Sequence, residues 1–275
     1  MPSLLEELEK PPNLEGIRVG IGALSANDSV IRLSADDAER YAFNVEVFTT
    51  PESLVDALAQ GKIDAATRGT LSAAATVNAL KDRFQIDHVQ RVAYMRTAYE
   101  KSFFLAPIGV GDCRTFEQKV ELLQLVDRYS KLFGVPARIA VLGGARLEDT
   151  GIDPAVDKTI EDARRLVARA QELGLSARFY EILIEDAIKT CNLIICPDAV
   201  SGNLVFRSLY YLGAGDCFGA PVLNAKGHIF IDTSRGKTDY TSALKLAAVL
   251  GHRRRKLRED AGATTPSPTP GPGRL

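Results

Sequence analysis

Cys191-Asn192-Leu193-Ile194-Ile195-Cys196 is an apolar run that stops at Pro197-Asp198-Ala199-Val200-Ser201-Gly202-Asn203, a small polar turn ahead of Leu204-Val205-Phe206-Arg207. A short apolar run closed by turn residues reads as a buried strand, and the segment after it reads as a helix beginning near Gly202-Asn203. The same unit recurs on either side. Ala137-Arg138-Ile139-Ala140-Val141-Leu142 precedes a helical period over 156–173, carried by Ile160, Ala163, Leu166, Val167 and Ala170. Further upstream, strand-like runs occupy 17–22, 42–48, 63–66 and 103–107. Thr50 and Pro51 supply an N-cap and a first helical position between two of them, and Gly61 closes that helix. Apolar strands alternating with helices imply βα units. The fold class is α/β, with mostly parallel sheets flanked by helices.

Sheets of this kind bind ligands beyond the carboxyl ends of their strands. The segments found there are Thr67-Arg68-Gly69-Thr70-Leu71-Ser72, Gly143-Gly144-Ala145-Arg146, the Pro197 to Asn203 turn, and Asp232-Thr233-Ser234-Arg235-Gly236 after Ile229-Phe230-Ile231. Glycines allow close backbone approach, hydroxyls donate, and open helix starts offer amides to an anion. Ser234 and Arg235 can hold a tetrahedral oxyanion, one hydroxyl donor beside a planar guanidinium with two. Asn203, Gly202 and Asp232 belong to the same set. Asp198 either orients a ligand group or fixes its own turn. Arg68 either meets an anionic ligand or pairs with a cleft acid.

Composition narrows the functional classes. The chain has 275 residues, 45% hydrophobic, with a formal net charge of −1. That balance excludes a nucleic-acid protein held by a broad basic face. Basic residues gather late: Arg253, Arg254, Arg255 and Lys256 make the segment from Gly251 roughly +4 and leave the body roughly −5. This run reads either as a contact for an anionic partner or as the solvated end of the last helix. No stretch nears the ~18 apolar residues of a membrane span. The N-terminus lacks the pattern of a secretion signal, so a cytoplasmic protein is expected. Four scattered cysteines and three histidines match no zinc spacing, and no metal is expected. Cys196 reads as a buried thiol, His88 as structural, and His228 as a candidate cleft acid or base. Arg146 is a further candidate cation. The Gly213-Ala214-Gly215-Asp216 segment lacks the glycine spacing of a dinucleotide loop. The Pro-, Gly-, Thr- and Ser-rich end predicts a disordered tail over 257–275.

Pro197-Asp198-x-x-x-Gly202-Asn203, then Gly219-Ala220-Pro221-Val222, then Asp232-Thr233-Ser234-Arg235-Gly236, resembles in order the C-terminal half of the phosphate acetyl/butyryltransferase family. The variant Ser201 to Arg207, with the Gly219 and Asp232 turns, is similar to the Mtx subunit X group of methanogenic archaea, also called methanogenesis marker protein 4. That group is a phosphotransacetylase-like set named for methyltransferases. The likeness extends over most of 15–250 and is most specific over 183–241.

It implies a two-domain phosphotransacetylase-like fold with an inter-domain cleft, here 1–98 plus 227–256 as one domain and 99–226 as the other, and a homodimer. It also implies a small anionic substrate, phosphate or an acyl phosphate with coenzyme A, and acyl or phosphoryl transfer without a resident cofactor. Ser234 and Arg235 would take the catalytic roles. Asp198, Gly202, Asn203, Asp232 and Arg68 would bind substrate. The alternative is a methanogenesis accessory protein working with methyltransferase subunits and itself noncatalytic. One departure stands out. The transacetylases carry an aspartate seven residues after the serine, proposed as the base, where this chain has Thr241. A threonine is no general base near neutral pH. Asp239, two residues short, would lie about 200° round a helix.

Overall fold

The computed structural model describes residues 3–263. Its first part runs α1 (Leu4–Glu9), β1 (Arg18–Gly22), α2 (Ser29–Glu39), β2 (Asn44–Phe48), α3 (Pro51–Ala59), β3 (Ala65–Thr67) and α4 (Ala73–Phe84). The middle runs β4 (Ala93–Arg96), β5 (Ser102–Ala106), α5 (Phe116–Phe133), β6 (Arg138–Val141), α6 (Pro154–Glu172), β7 (Ser176–Phe179) and α7 (Ile184–Thr190). The last part is β8 (Leu193–Ile195), α8 (Ala199–Tyr211), β9 (Asp216–Pro221), β10 (Ile229–Asp232) and α9 (Thr241–Ala263).

Caps set the helix starts where the sequence carries them. Thr50 accepts from the Ser53 amide ahead of Pro51, and Asp153 accepts from Ala155 ahead of Pro154. These side chains satisfy amides that the first helical turn leaves open. Asp198 does the same for α8, accepting from the Val200 and Ser201 amides. The helix therefore begins at Ala199, earlier than the Gly202-Asn203 start expected from the sequence.

Among the described residues the strands form one sheet in the order β2-β1-β3-β10-β9-β4-β5-β8-β6-β7. β2, β1, β3 and β10 are mutually parallel, as are β5, β8, β6 and β7. β9 runs antiparallel to β10 and to β4, and β4 antiparallel to β5. The two parallel blocks consequently point in opposite directions and meet across β9 and β4.

Alternation along the strands covers both faces, as the two-residue period requires. On β10, Ile229 and Ile231 pack with the buried Leu244, Ala247 and Val249 of α9. Phe230 faces the other way, among Leu54 and Leu58 of α3 and Leu80 of α4. On β5, Phe104 joins the α5 side while Phe103 and Leu105 join the α8 side.

α9 carries the late basic run into the fold. Arg253 is buried, with Nε donating to Glu7 Oε2 at 2.8 Å and Nη1 to the Leu132 carbonyl at 3.0 Å. Arg255 donates to Asp64 at 3.0 Å. Two of these cations thus clamp α1, the end of α5 and the segment before β3, which corrects the reading of a solvated helix end. α9 continues through Ala263, into the stretch expected as tail; 264–275 lies outside the described residues. Among the described residues no helix is long and apolar enough to cross a membrane.

Candidate functional site

A cleft of about 760 Å³ opens where the two blocks of the sheet meet. Ala93, Cys217, Gly219 and Ala220 floor it, the first turns of α4 form one wall, and Asn203, Phe206, Arg207 and Tyr210 of α8 form the other. Two loops rim it: 108–110 after β5 and 232–237 after β10.

The turn after β10 is anchored at each step. Thr233 is buried and donates to the Gly69 carbonyl at 3.2 Å. Tyr240 Oη donates to the Ser234 carbonyl at 3.1 Å. Ser234 Oγ accepts from the Gly236 amide at 3.3 Å and is bonded to Tyr211 Oη at 2.9 Å. Arg235 is exposed on the cleft rim. On the opposite wall, Asn203 Nδ2 donates to the Ile108 carbonyl at 2.7 Å, tying α8 to the loop after β5.

Beneath the cleft lies a buried chain of charges. Arg68 Nε donates to Asp232 Oδ1, and its Nη1 to the Leu71 carbonyl at 2.7 Å. Arg91 Nη1 donates to Asp232 Oδ2 at 2.5 Å. Arg91 Nε and Nη2 reach Asp112 at 3.0 and 2.6 Å, a bidentate pairing suited to a planar guanidinium. Burial alone would raise the Asp232 carboxyl; the Arg91 and Arg68 charges outweigh it and hold the group below the usual carboxylate range. For Arg91, burial works against the charge but Asp232 and Asp112 overcome it. Gly109 leaves room for this guanidinium, since a Cβ would sit 1.8 Å from Arg91 Nη2 and push it off its carboxylates.

The cleft therefore gathers Ser234, Arg235, Asn203, Asp232 and Arg68 from the residues singled out by sequence. Of the two readings of Arg68, the ion pair to a cleft acid is the one present. Asp198 is the cap of α8, exposed, and does not line the cleft. Gly202 is buried behind it, where a Cβ would lie 1.9 Å from the Pro107 carbonyl oxygen. Its role is to let α8 approach the end of β5. Gly202→Ala should cost roughly 1–3 kcal/mol through this overlap; a urea-denaturation midpoint equal to wild type would refute the close approach.

The other candidates lie elsewhere. Arg146 is exposed and pairs with Glu148 at 3.6 Å. His88 bonds Glu121 at 2.7 Å. His228 stacks on Phe84 at 5.0 Å, away from the cleft, and burial with nearby Arg254 and Arg258 pushes its pKa down to about 4. It is no cleft acid or base. Cys196 is buried, its thiol pushed up to about 12 by desolvation. α9 begins at Thr241, so Asp239 precedes the helix and the rotation expected for it does not apply. Asp239 Oδ1 instead accepts from Thr241 N at 2.9 Å and Oγ1 at 2.6 Å. Neither residue lines the cleft.

The structure adds Arg91, Arg207, Tyr210 and Lys237 to the lining. Arg207 follows Asn203 by one helical turn, a spacing that places both on one face and was readable. Arg91 approaches from the segment before β4, and nothing local in the sequence connects it to Asp232. Among the described residues no group of three or more His, Cys, Asp or Glu is placed to hold a metal.

No family model matches the chain. It is 38% identical over 277 residues to a protein of Methanosarcina acetivorans described as "Putative methyltransferase mtx subunit X", covering 93% of this chain and 99% of that one. A Methanosarcina mazei protein of the same description is 35% identical, with 94% and 99% covered. Among solved structures, the fold is similar to a phosphotransacetylase from Streptococcus pyogenes, with a TM-score of 0.67, 16% identity, and 92% and 98% of the two chains covered. A branched-chain phosphotransacylase from Enterococcus faecalis aligns with a TM-score of 0.64 at 15% identity, covering 87% and 99%. At these identities the structures speak for the fold alone.

Proposed function

Because the chain belongs to the Mtx subunit X family, on a phosphotransacetylase-like fold, we propose that its cleft binds a phosphate-bearing small molecule and serves acyl or phosphoryl transfer. The observation that carries this reading is the charge on the cleft. Arg68 and Arg91 are balanced by Asp232 and Asp112, whereas Arg207 and Arg235 line it with no carboxylate partner among the described residues. Two uncompensated guanidinium groups beside a serine hydroxyl make a site for an anion with several oxygens. The first turn of α4, with Ala73 and Ala74 on the cleft, presents open amides to the same space.

In this reading Ser234 and Arg235 hold the phosphate of an acyl phosphate and meet the charge that develops as it leaves. Donors fixed in advance stabilise such charge better than mobile water does. Coenzyme A, or another thiol, would be the acceptor, and the phosphate and acyl portions would share the space between α4 and α8. The homodimer belongs to the same reading, and sedimentation velocity measures it directly.

The test is release of free thiol from a panel of acyl-coenzyme A donors with phosphate present. Turnover with any donor supports acyl transfer. No turnover, together with no phosphate binding by calorimetry, overturns the reading. The name carried by the relatives supplies a second one, an accessory role beside methyltransferase subunits, and it is favoured by Thr241, which stands where the base is expected, donates to Asp239 and does not line the cleft. Co-purification of the native chain with such a subunit, without thiol release, would decide for it.

A further inference from the structure

We propose that Lys237 is the proton-transfer group of this cleft. The inference rests on the acyl-transfer reading above. It follows from the groups that line the cleft and from what holds each of them.

Asp232 has both carboxylate oxygens taken by Arg68 and Arg91. The arginines carry no lone pair to accept a proton. Burial pushes the Cys217 thiol and the Tyr210 phenol upward, so neither ionises readily. No histidine lines the cleft. Lys237 remains.

Its position is set by the turn that carries the anion donors. The Lys237 amide bonds the Ser234 carbonyl at 3.4 Å, so Ser234, Arg235 and Lys237 occupy one tight turn after β10. The side chain crosses to the floor, where Nζ donates to the Cys217 carbonyl at 2.7 Å and lies 5.4 Å from the centre of the Tyr210 ring. It has no carboxylate within ion-pair distance among the described residues. The titratable groups that face it are Cys217 and Asp216 on β9, Tyr210 on α8 and Asp239 ahead of α9. Burial draws the amine below the ordinary lysine range, and Cys217, Asp239 and Asp216 only partly oppose this. Burial without a carboxylate partner favours the neutral amine relative to an exposed lysine.

The Lys237 amine takes the proton of the acceptor thiol as its sulfur bonds the acyl carbon. The bond from that carbon to the phosphate oxygen then breaks, its electron pair leaving with the phosphate. The Lys237 ammonium returns the proton to the phosphate held by Ser234 and Arg235, so thioester and hydrogen phosphate form and the free amine is restored.

Lys237→Arg keeps the positive charge and removes the accessible base, which separates proton transfer from anion binding. Phosphate affinity measured by calorimetry should stay within about threefold of wild type while thiol turnover falls by ~100-fold or more. Turnover within about threefold of wild type overturns the inference and leaves acyl transfer standing. A wild type without turnover removes the acyl-transfer reading, and the base assignment with it. A second readout needs no turnover: pulse labelling with acetic anhydride across pH, read by peptide mass spectrometry, with the exposed Lys62 as internal reference. Lys237 should reach half-maximal labelling at a lower pH than Lys62. Coincident curves overturn the proposal.

Discussion

Asp232→Asn should lower the thermal unfolding midpoint by roughly 10 °C at neutral pH. The substitution keeps the shape and removes the charge on which two buried guanidinium groups converge. Arg68 then has no carboxylate, and Arg91 keeps Asp112 alone. Removing one partner of a buried ion pair costs about 3–5 kcal/mol, because the remaining charge stays out of water without compensation. At about 2–4 °C per kcal/mol for a chain near this size, the shift is of the stated order. The pH dependence has a definite sign. Asp232 is held below its unfolded value, so its contribution is complete above about pH 4 and is lost as the pH falls through the folded value. Circular-dichroism melts of wild type and variant should therefore converge in acid. A gap as wide at pH 3 as at pH 7 would contradict the charge network.

Arg235→Ala should leave the stability within about 0.5 kcal/mol of wild type while turnover falls by ~10²–10³-fold. The contrast with Asp232 comes from what each residue touches. Arg235 is exposed on the rim, with no carboxylate partner among the described residues, so its charge is available to a ligand. Removing a cation that meets only the ligand raises the barrier without loosening the scaffold. Arg235→Lys should recover part of the loss, since an ammonium restores the charge but not the planar pair of donors. Thiol-release kinetics beside a melt of each variant make the measurement, and an Arg235→Ala protein with full activity would remove Arg235 from the site.

The contrast between those two residues also marks how far reading the chain alone could go. The strands around Leu193, Ile139 and Ile21, and the cap at Thr50, are encoded locally. A strand needs its own apolar run and a helix its own first-turn acceptor, and both are contiguous in the chain. The Asp232 to Gly236 turn is legible for the same reason, and so is its place after a strand. Asp198 shows the limit of such reading. Its residue type suits a ligand and a cap equally, and only the Val200 and Ser201 amides in space assign it to the cap.

Local sequence settled the α/β class and the loops carrying Arg68, Ser234 and Arg235, and placed Asn203 just past the end of a strand. The pairing of charges was left to the tertiary structure. Arg68 and Asp232 are 164 residues apart and Arg91 and Asp232 141, and nothing near any of them in the chain foretells that one carboxylate neutralises two cations. The same long-range packing brings Lys237 against Cys217 and Tyr210, and leaves Thr241 and Asp239 out of the cleft lining. Propensity and capping act within a few residues, whereas burial and electrostatics act through space, and it is these that determine which cations in the cleft are free to meet a ligand.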